Sequence, residues 1–282
     1  MPTPVYYANC PDYTPEHLQS ALGGILPGQI DAFGGVSHKR IMLKPNLLAW
    51  RRADDIACVH PKLIVETARF FLNAGAKEVA LLENPAVQTA PAIIRAMGID
   101  EELKKLGVHV ANFSDYKRLP LPPEVKFHNI ELAAEFLEYD AVADIAKAKT
   151  HAMMILTLCV KNLFGLVKGC DRMGWHLAVG RDFAKFADML LDIHLSVRPR
   201  FNILDAVTCM EGNGPGSGTP VHRGFLAGSS DSLALDASAA AIFGVPNLLL
   251  LRNAKERKLD FAYENCGDVP PVNPLKRPDP PG

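Results

Sequence analysis

Short β-branched runs alternate with longer segments of helical period along this sequence, and that alternation constrains the fold more than any other feature. A strand, a helix and a second strand form a parallel pair, because the crossover must travel back along the sheet and a helix covers that distance. Strand patterns fall at 5–8, 40–44, 78–82, 108–112, 141–145 and 201–207, with an alternating edge-like segment at 125–130 after the stiff Leu119-Pro120-Leu121-Pro122-Pro123 connection. Thr14-Pro15 reads as a side-chain-capped helix start. His60-Pro61 opens a helix that Gly75 closes, a third helix covers 89–97 before Gly98, and 182–196 is amphipathic. Ser229 or Ser230 caps a last helix that Gly244 ends. The expected class is α/β, an open, mainly parallel or mixed sheet with helices on both faces. One domain is expected over 1–268, with 269–282 a proline-rich extended tail or linker.

The 30 Lys plus Arg against 31 Asp plus Glu leave a formal charge of −1. No global field draws nucleic acid or an anionic membrane, so any bound anion must be held by local geometry. The six cysteines at 10, 58, 159, 170, 209 and 266 contain no Cys-x-x-Cys pair. That spacing leaves no iron–sulfur cluster ligated within residues 1–282 and makes free thiols the default. The first ten residues lack the basic flank and apolar stretch of a signal peptide, and apolar runs such as 152–160 are too short for a bilayer. A cytoplasmic protein is expected, with no nucleic-acid or membrane partner and an open oligomeric state.

Three stretches place chemistry at strand ends, where ligands of open α/β sheets collect. Lys44-Pro45-Asn46 offers a point charge and an amide suited to a carboxylate or phosphate; its bland alternative is a salt-bridged lysine beside a turn. Lys147-Ala148-Lys149-Thr150-His151 supplies amines that burial would push toward neutrality and an imidazole that exchanges protons near neutral pH, or else a solvated lysine and a histidine satisfying a neighbouring carbonyl. Lys161-Asn162 sits in the apolar stretch 157–168, and an ammonium buried there requires an anion, either a protein carboxylate or a ligand. This is the strongest signal in the chain. Downstream, Trp175-His176 sets an indole that could wall a pocket beside a histidine that could approach His151.

The run from Met210 to Gly218 holds four glycines after the strand ending near Val207, so its backbone N–H groups can form an anion cradle or a flexible linker. It has neither the Walker Gly-Lys-Ser/Thr ending nor Gly-x-Gly-x-x-Gly before a helix. Asp231 and Asp236 read as favourable charges at a helix start. His60, His151, His176, Asp205 and Glu211 are compatible metal ligands, but no local pair joins them, so any metal site must be assembled by the fold.

In this order the motifs resemble the DUF362 family of bacterial and archaeal proteins. The resemblance covers about 40–245. It rests on Ile41 to Leu47, Val59-His60-Pro61, Gly75-Ala76-Lys77-Glu78-Val79, Lys147 to His151 and Lys161-Asn162-Leu163-Phe164-Gly165. Asp205-Ala206-Val207 and Glu211-Gly212-Asn213-Gly214-Pro215 complete it, with Asp231 and Asp236 at the start of the family's final helix. Many members carry a four-cysteine iron–sulfur segment, which the cysteine spacing here excludes, and Leu82-Glu83-Asn84-Pro85 replaces a Gly-Asp-Ser-Pro-like string.

Together these readings point to an enzyme or enzyme-like subunit that binds a small anion. Lys149, His151, Lys161 and His176 are the catalytic candidates. Lys44, Asn46, Thr150, Asn162, Glu211, Gly212, Asn213 and Gly214 are the binding candidates. The resemblance leaves two alternatives: a scaffold for an iron–sulfur or redox partner, and a non-catalytic ligand-binding module.

Overall fold

The alternation resolves into one mixed sheet and a small ribbon. The computed structural model describes residues 1–282 apart from 52–54, 119–121, 123, 170, 173, 176–181 and 280–282. Its strands are β1 (Thr3–Asn9), β2 (Arg40–Pro45), β3 (Glu78–Leu82), β4 (His109–Ala111), β5 (Tyr116–Arg118), β6 (Glu131–Ala133), β7 (Ala141–His151), β8 (Ile155–Thr157), β9 (Phe201–Glu211), β10 (Thr219–Ser229) and β11 (Tyr263–Gly267). The large sheet runs β11-β1-β10-β9-β7-β2-β3-β4, with β8 folded back on the end of β7. The half from β9 to β4 is parallel throughout, whereas β10 lies antiparallel to both β9 and β1.

Among the described residues the helices are α1 (Pro15–Ile25), α2 (Pro27–Phe33), α3 (Pro61–Asn73), α4 (Ala90–Ala96), α5 (Asp100–Lys105), α6 (Cys159–Asn162), α7 (Phe183–Val197), α8 (Ser232–Ile242) and α9 (Leu249–Glu256). They cover both faces because the strands alternate. Ile41 and Leu43 of β2 with Ala143 and Ile145 of β7 pack against Leu22 of α1 and Ile64 and Phe71 of α3, while Met42, Val142 and Ala146 join Leu190 of α7 and Leu235 of α8 in a second core. The crossovers from β2 to β3 and β3 to β4 step toward one edge under α3, α4 and α5. The crossover from β7 to β9 steps the other way under α6 and α7. Successive connections therefore diverge between β2 and β7, opening a crevice at the carboxyl ends of those strands.

Several local expectations are corrected. Thr14 precedes α1, but its hydroxyl meets His17 Nδ1 at 2.9 Å and gives no side-chain cap. Asp231, not Ser229 or Ser230, caps α8, accepting the Ala234 N–H at 2.8 Å. The segment 125–130 is not a strand; the edge pairing belongs to β6, which joins β5 in a separate ribbon. Within the 119–123 connection, 119–121 and 123 lie outside the described residues. β7 continues to His151, past the expected end at 145, because each polar residue beyond that point finds a buried partner.

Candidate functional site

β7 is the spine of the site. Asp144 faces the same core as Val142 and Ala146, while Lys147, Lys149 and His151 share the opposite face by the period of two. Parallel register sets Lys44 of β2 beside Asp144 and Asp205 of β9 beside Lys147. The three lysines consequently do not share one fate.

Lys44 is fully buried, and its Nζ lies 2.5 Å from Glu83 Oε2, just beyond the end of β3. Lys147 Nζ donates to Asp205 Oδ2 at 2.9 Å and to Tyr13 Oη at 3.0 Å, and Tyr13 in turn donates to Asp205 Oδ1 at 2.8 Å. The His60 ring stacks on Tyr13 at 3.7 Å, and burial drops its pKa to about 4, so it is neutral at physiological pH. Both of these cations are neutralised inside the protein.

Lys149 has no such partner. Its Nζ donates to Asn46 Oδ1 at 2.8 Å and to the Ala57 carbonyl at 2.6 Å, both uncharged acceptors. Burial, reinforced by the charges of Lys161 and Lys147, lowers its pKa to about 7. Lys161 projects from α6 with its Nζ 5.8 Å from the centroids of Phe164 and Phe186, and burial lowers its pKa to about 8. Among the described residues neither amine forms a salt bridge. Both line one cavity of about 100 Å³ at the carboxyl ends of β2, β3 and β7, together with Asn46, His151, Arg172 and the loop residue Pro215. His151 Nδ1 accepts the backbone N–H groups of Met153 (3.1 Å) and Met154 (3.3 Å), which leaves the imidazole proton on Nε2.

The supports beneath this cleft form a chain. Asn46 Nδ2 donates to Asn162 Oδ1 at 2.8 Å, and Asn162 Nδ2 donates to Asp144 Oδ1 at 2.8 Å, so both amides have one allowed orientation. Burial raises the Asp144 pKa to about 7 against the opposing pull of Lys44. The Lys161-Asn162-Leu163-Phe164-Gly165 string thus has a physical reading: the lysine reaches the cleft and the asparagine carries the network. Gly165 leaves room for the ion pair, since a Cβ there would overlap Glu83 Oε1 and stand 2.9 Å from Lys44 Nζ. Asp236 of α8 holds the whole string in place by accepting the N–H groups of Cys159 (2.8 Å) and Val160 (3.0 Å) at the start of α6.

The expected site residues therefore divide. Lys149, His151, Lys161, Asn46 and Asn162 come together. Lys44 does not reach the cleft, because Glu83 and Gly165 seal it below. Thr150 turns away and donates to the Gly212 carbonyl at 2.8 Å. The glycine-rich turn closes on protein: Gly212 donates its N–H to the Lys276 carbonyl, Gly214 packs against the Thr150 backbone, and Asn213 bonds Asp279. Glu211 accepts the Lys276 N–H at 3.1 Å, and the residue of this turn that lines the cavity is Pro215. Trp175 packs edge-on against Phe127 instead of walling the cleft, and His176 lies outside the described residues. Among the described residues no three His, Cys, Asp or Glu side chains are grouped to hold a metal. His60 and Asp205 are neighbours, while His151 and Glu211 are held elsewhere.

Sequence reasoning passed over Glu83 and Tyr13 as partners, Asp144 as a support and Arg172 as a lining cation. Asp144 carried a signal, a carboxylate within an apolar strand; the others are defined only by long-range contacts.

The fold and crevice define an open, mixed α/β protein with a cationic cleft where its crossovers diverge. The chain belongs to the family described as a domain of unknown function, DUF362, which matches residues 41–241. It is 32% identical over 212 residues to the thylakoid-associated protein sll1697 of Synechocystis sp., an alignment covering 73% of this chain and 65% of that relative. The chain thus spans about 65% of the length of the curated relative it matches. A crystal structure of a Thermotoga maritima protein shares 13% identity at a TM-score of 0.39, over 89% of this chain and 59% of that one, a likeness too slight to define a fold. Among the described residues no helix is long and apolar enough to cross a membrane.

Proposed function

We propose that the chain is an enzyme or enzyme-like subunit that binds a small anion in the cleft between β2 and β7. Lys161 and Arg172 hold the anion's charge, and Lys149 and His151 move protons. The observation that carries this reading is the meeting of two lysine amines, neither ion-paired among the described residues, in one small cavity whose lining carboxylate, Glu83, is taken by Lys44. A buried ammonium without a counter-ion is costly, and a bound anion removes that cost. A cavity of about 100 Å³ admits a compact group, either a small acid or the charged end of a larger molecule. A cytoplasmic location belongs to the same proposal and is checked by cell fractionation.

Calorimetric titration with phosphate, acetate and pyruvate tests the binding. Lys161→Met is expected to weaken the best of these at least ~10-fold, about 1.4 kcal/mol, with an unchanged circular dichroism spectrum. Because burial lowers both lysine pKa values, to about 7 and about 8, the cleft loses positive charge as pH rises through that range. Affinity is accordingly expected to fall between pH 7 and pH 9. Equal affinity in the wild type and Lys161→Met would reject the assignment.

A further inference from the structure

Resting on the anion-binding reading, we propose that the anion is a small carbonyl compound, a 2-oxo acid in the first instance, and that Lys149 Nζ captures its carbonyl carbon as an imine. Such a step needs an amine with an available lone pair, next to a site for the acid group. Lys44 Nζ is committed to the Glu83 carboxylate, and Asp205 holds Lys147 protonated with no lone pair to offer. Lys149 differs in geometry. A neutral amine has two N–H bonds and one lone pair, and both N–H bonds of Lys149 are accounted for by Asn46 Oδ1 and the Ala57 carbonyl. The Asn46 amide cannot turn its nitrogen toward Lys149, because that nitrogen is committed to Asn162 Oδ1. The remaining tetrahedral position on Nζ belongs to the lone pair, on a residue that lines the cleft. The lowered pKa of Lys149 supplies the neutral form near pH 7, and a second cation close by is a recurrent means of activating a lysine nucleophile.

Lys161 and Arg172 line the same cavity and take the carboxylate, which fixes the distance between the acid group and the attacked carbon. The cavity of about 100 Å³ is small, which favours a short 2-oxo acid over a bulky one.

The step balances without an oxidant or reductant. The Nζ lone pair forms the C–N bond while the carbonyl π pair moves to oxygen, which takes a proton from that nitrogen to give a carbinolamine. The nitrogen lone pair then forms C=N as the oxygen leaves with the second nitrogen proton, so amine plus carbonyl yields imine plus water. His151 Nε2, protonated because Nδ1 accepts two backbone N–H groups, lies on the same strand face and can relay the proton to oxygen.

The test incubates the full chain with pyruvate and sodium cyanoborohydride and maps the product by peptide mass spectrometry, with calorimetric titration of pyruvate and lactate alongside. The expected result is a single reductively attached acid on Lys149, lost in Lys149→Met and formed at least ~10-fold more slowly in Lys161→Met. The wild-type peptide map reads the site directly, even if a variant fails to fold. Equal binding of pyruvate and lactate with no adduct overturns the imine while leaving the anion site standing. No binding of either acid overturns both readings. Adducts spread over surface lysines, or placed on Lys161, overturn the assignment to Lys149.

Discussion

Lys44 and Lys161 look alike as sequence, each a lone cation within two positions of an asparagine in an apolar stretch, yet one is sealed within the protein and the other faces a cavity. The difference is the carboxylate of Glu83, thirty-nine positions from Lys44 and brought beside it by parallel pairing of β2 with β3. Removing one member of so buried a pair leaves a charge without its partner. Lys44→Met is expected to lower unfolding free energy by about 3–5 kcal/mol, and the double substitution Lys44→Met with Glu83→Leu to recover most of that loss. Urea denaturation of the two variants checks this, and additive losses would mean the pair is not coupled.

At the scale of elements, α6 is the least self-sufficient piece of the site. It contains four residues, too few for helix propensity to sustain, and takes its position from the carboxylate of Asp236 on α8. Asp236 was legible in the sequence as an acidic residue near a helix start. Its service to a different helix was not, because capping across seventy-seven positions leaves no local pattern. Asp236→Ala is expected to cost about 1–3 kcal/mol in stability, since two buried backbone N–H groups lose their acceptor. It should also weaken pyruvate binding by freeing Lys161 from its setting; a change in stability with unaltered affinity would confine the role of Asp236 to the fold.

β7 teaches the same lesson with the opposite sign. Its charged half, 147–151, falls beyond the strand expected at 141–145, because charges are seldom buried in strands. Asp205 and Tyr13 satisfy Lys147, while Asn46 and the Ala57 carbonyl satisfy Lys149, so the strand continues through them.

For the whole molecule, the carboxyl-terminal segment behaves as a strap. The described residues after β11 carry no helix or strand, but Asn273 and Leu275 donate to the carbonyls of Ile242 and Phe243, Leu275 is buried, and Lys276 and Asp279 clasp the 211–213 turn. That turn presents Pro215 to the cleft, so the strap connects the end of the described chain with one wall of the site. Deleting 269–282 is expected to remove about 2 kcal/mol, the scale of burying one leucine, and to lower the melting temperature by roughly 4–8 °C in differential scanning calorimetry. An unchanged melting temperature would show that the segment adds nothing to the fold.

What the amino-acid order determined unaided was local in origin. The alternation of periods marked the α/β class, prolines and glycines punctuated α1, α3, α4 and α8, and the Lys161-Asn162 pair inside an apolar run announced a site. Those signals arise from neighbours on one strand face or helical turn, so they survive in a linear reading. Tertiary structure alone decided which lysines are neutralised. Coulomb energy and desolvation depend on separations in space, and the partners of Lys44, Lys147 and Lys149 lie 39, 58 and 103 positions away.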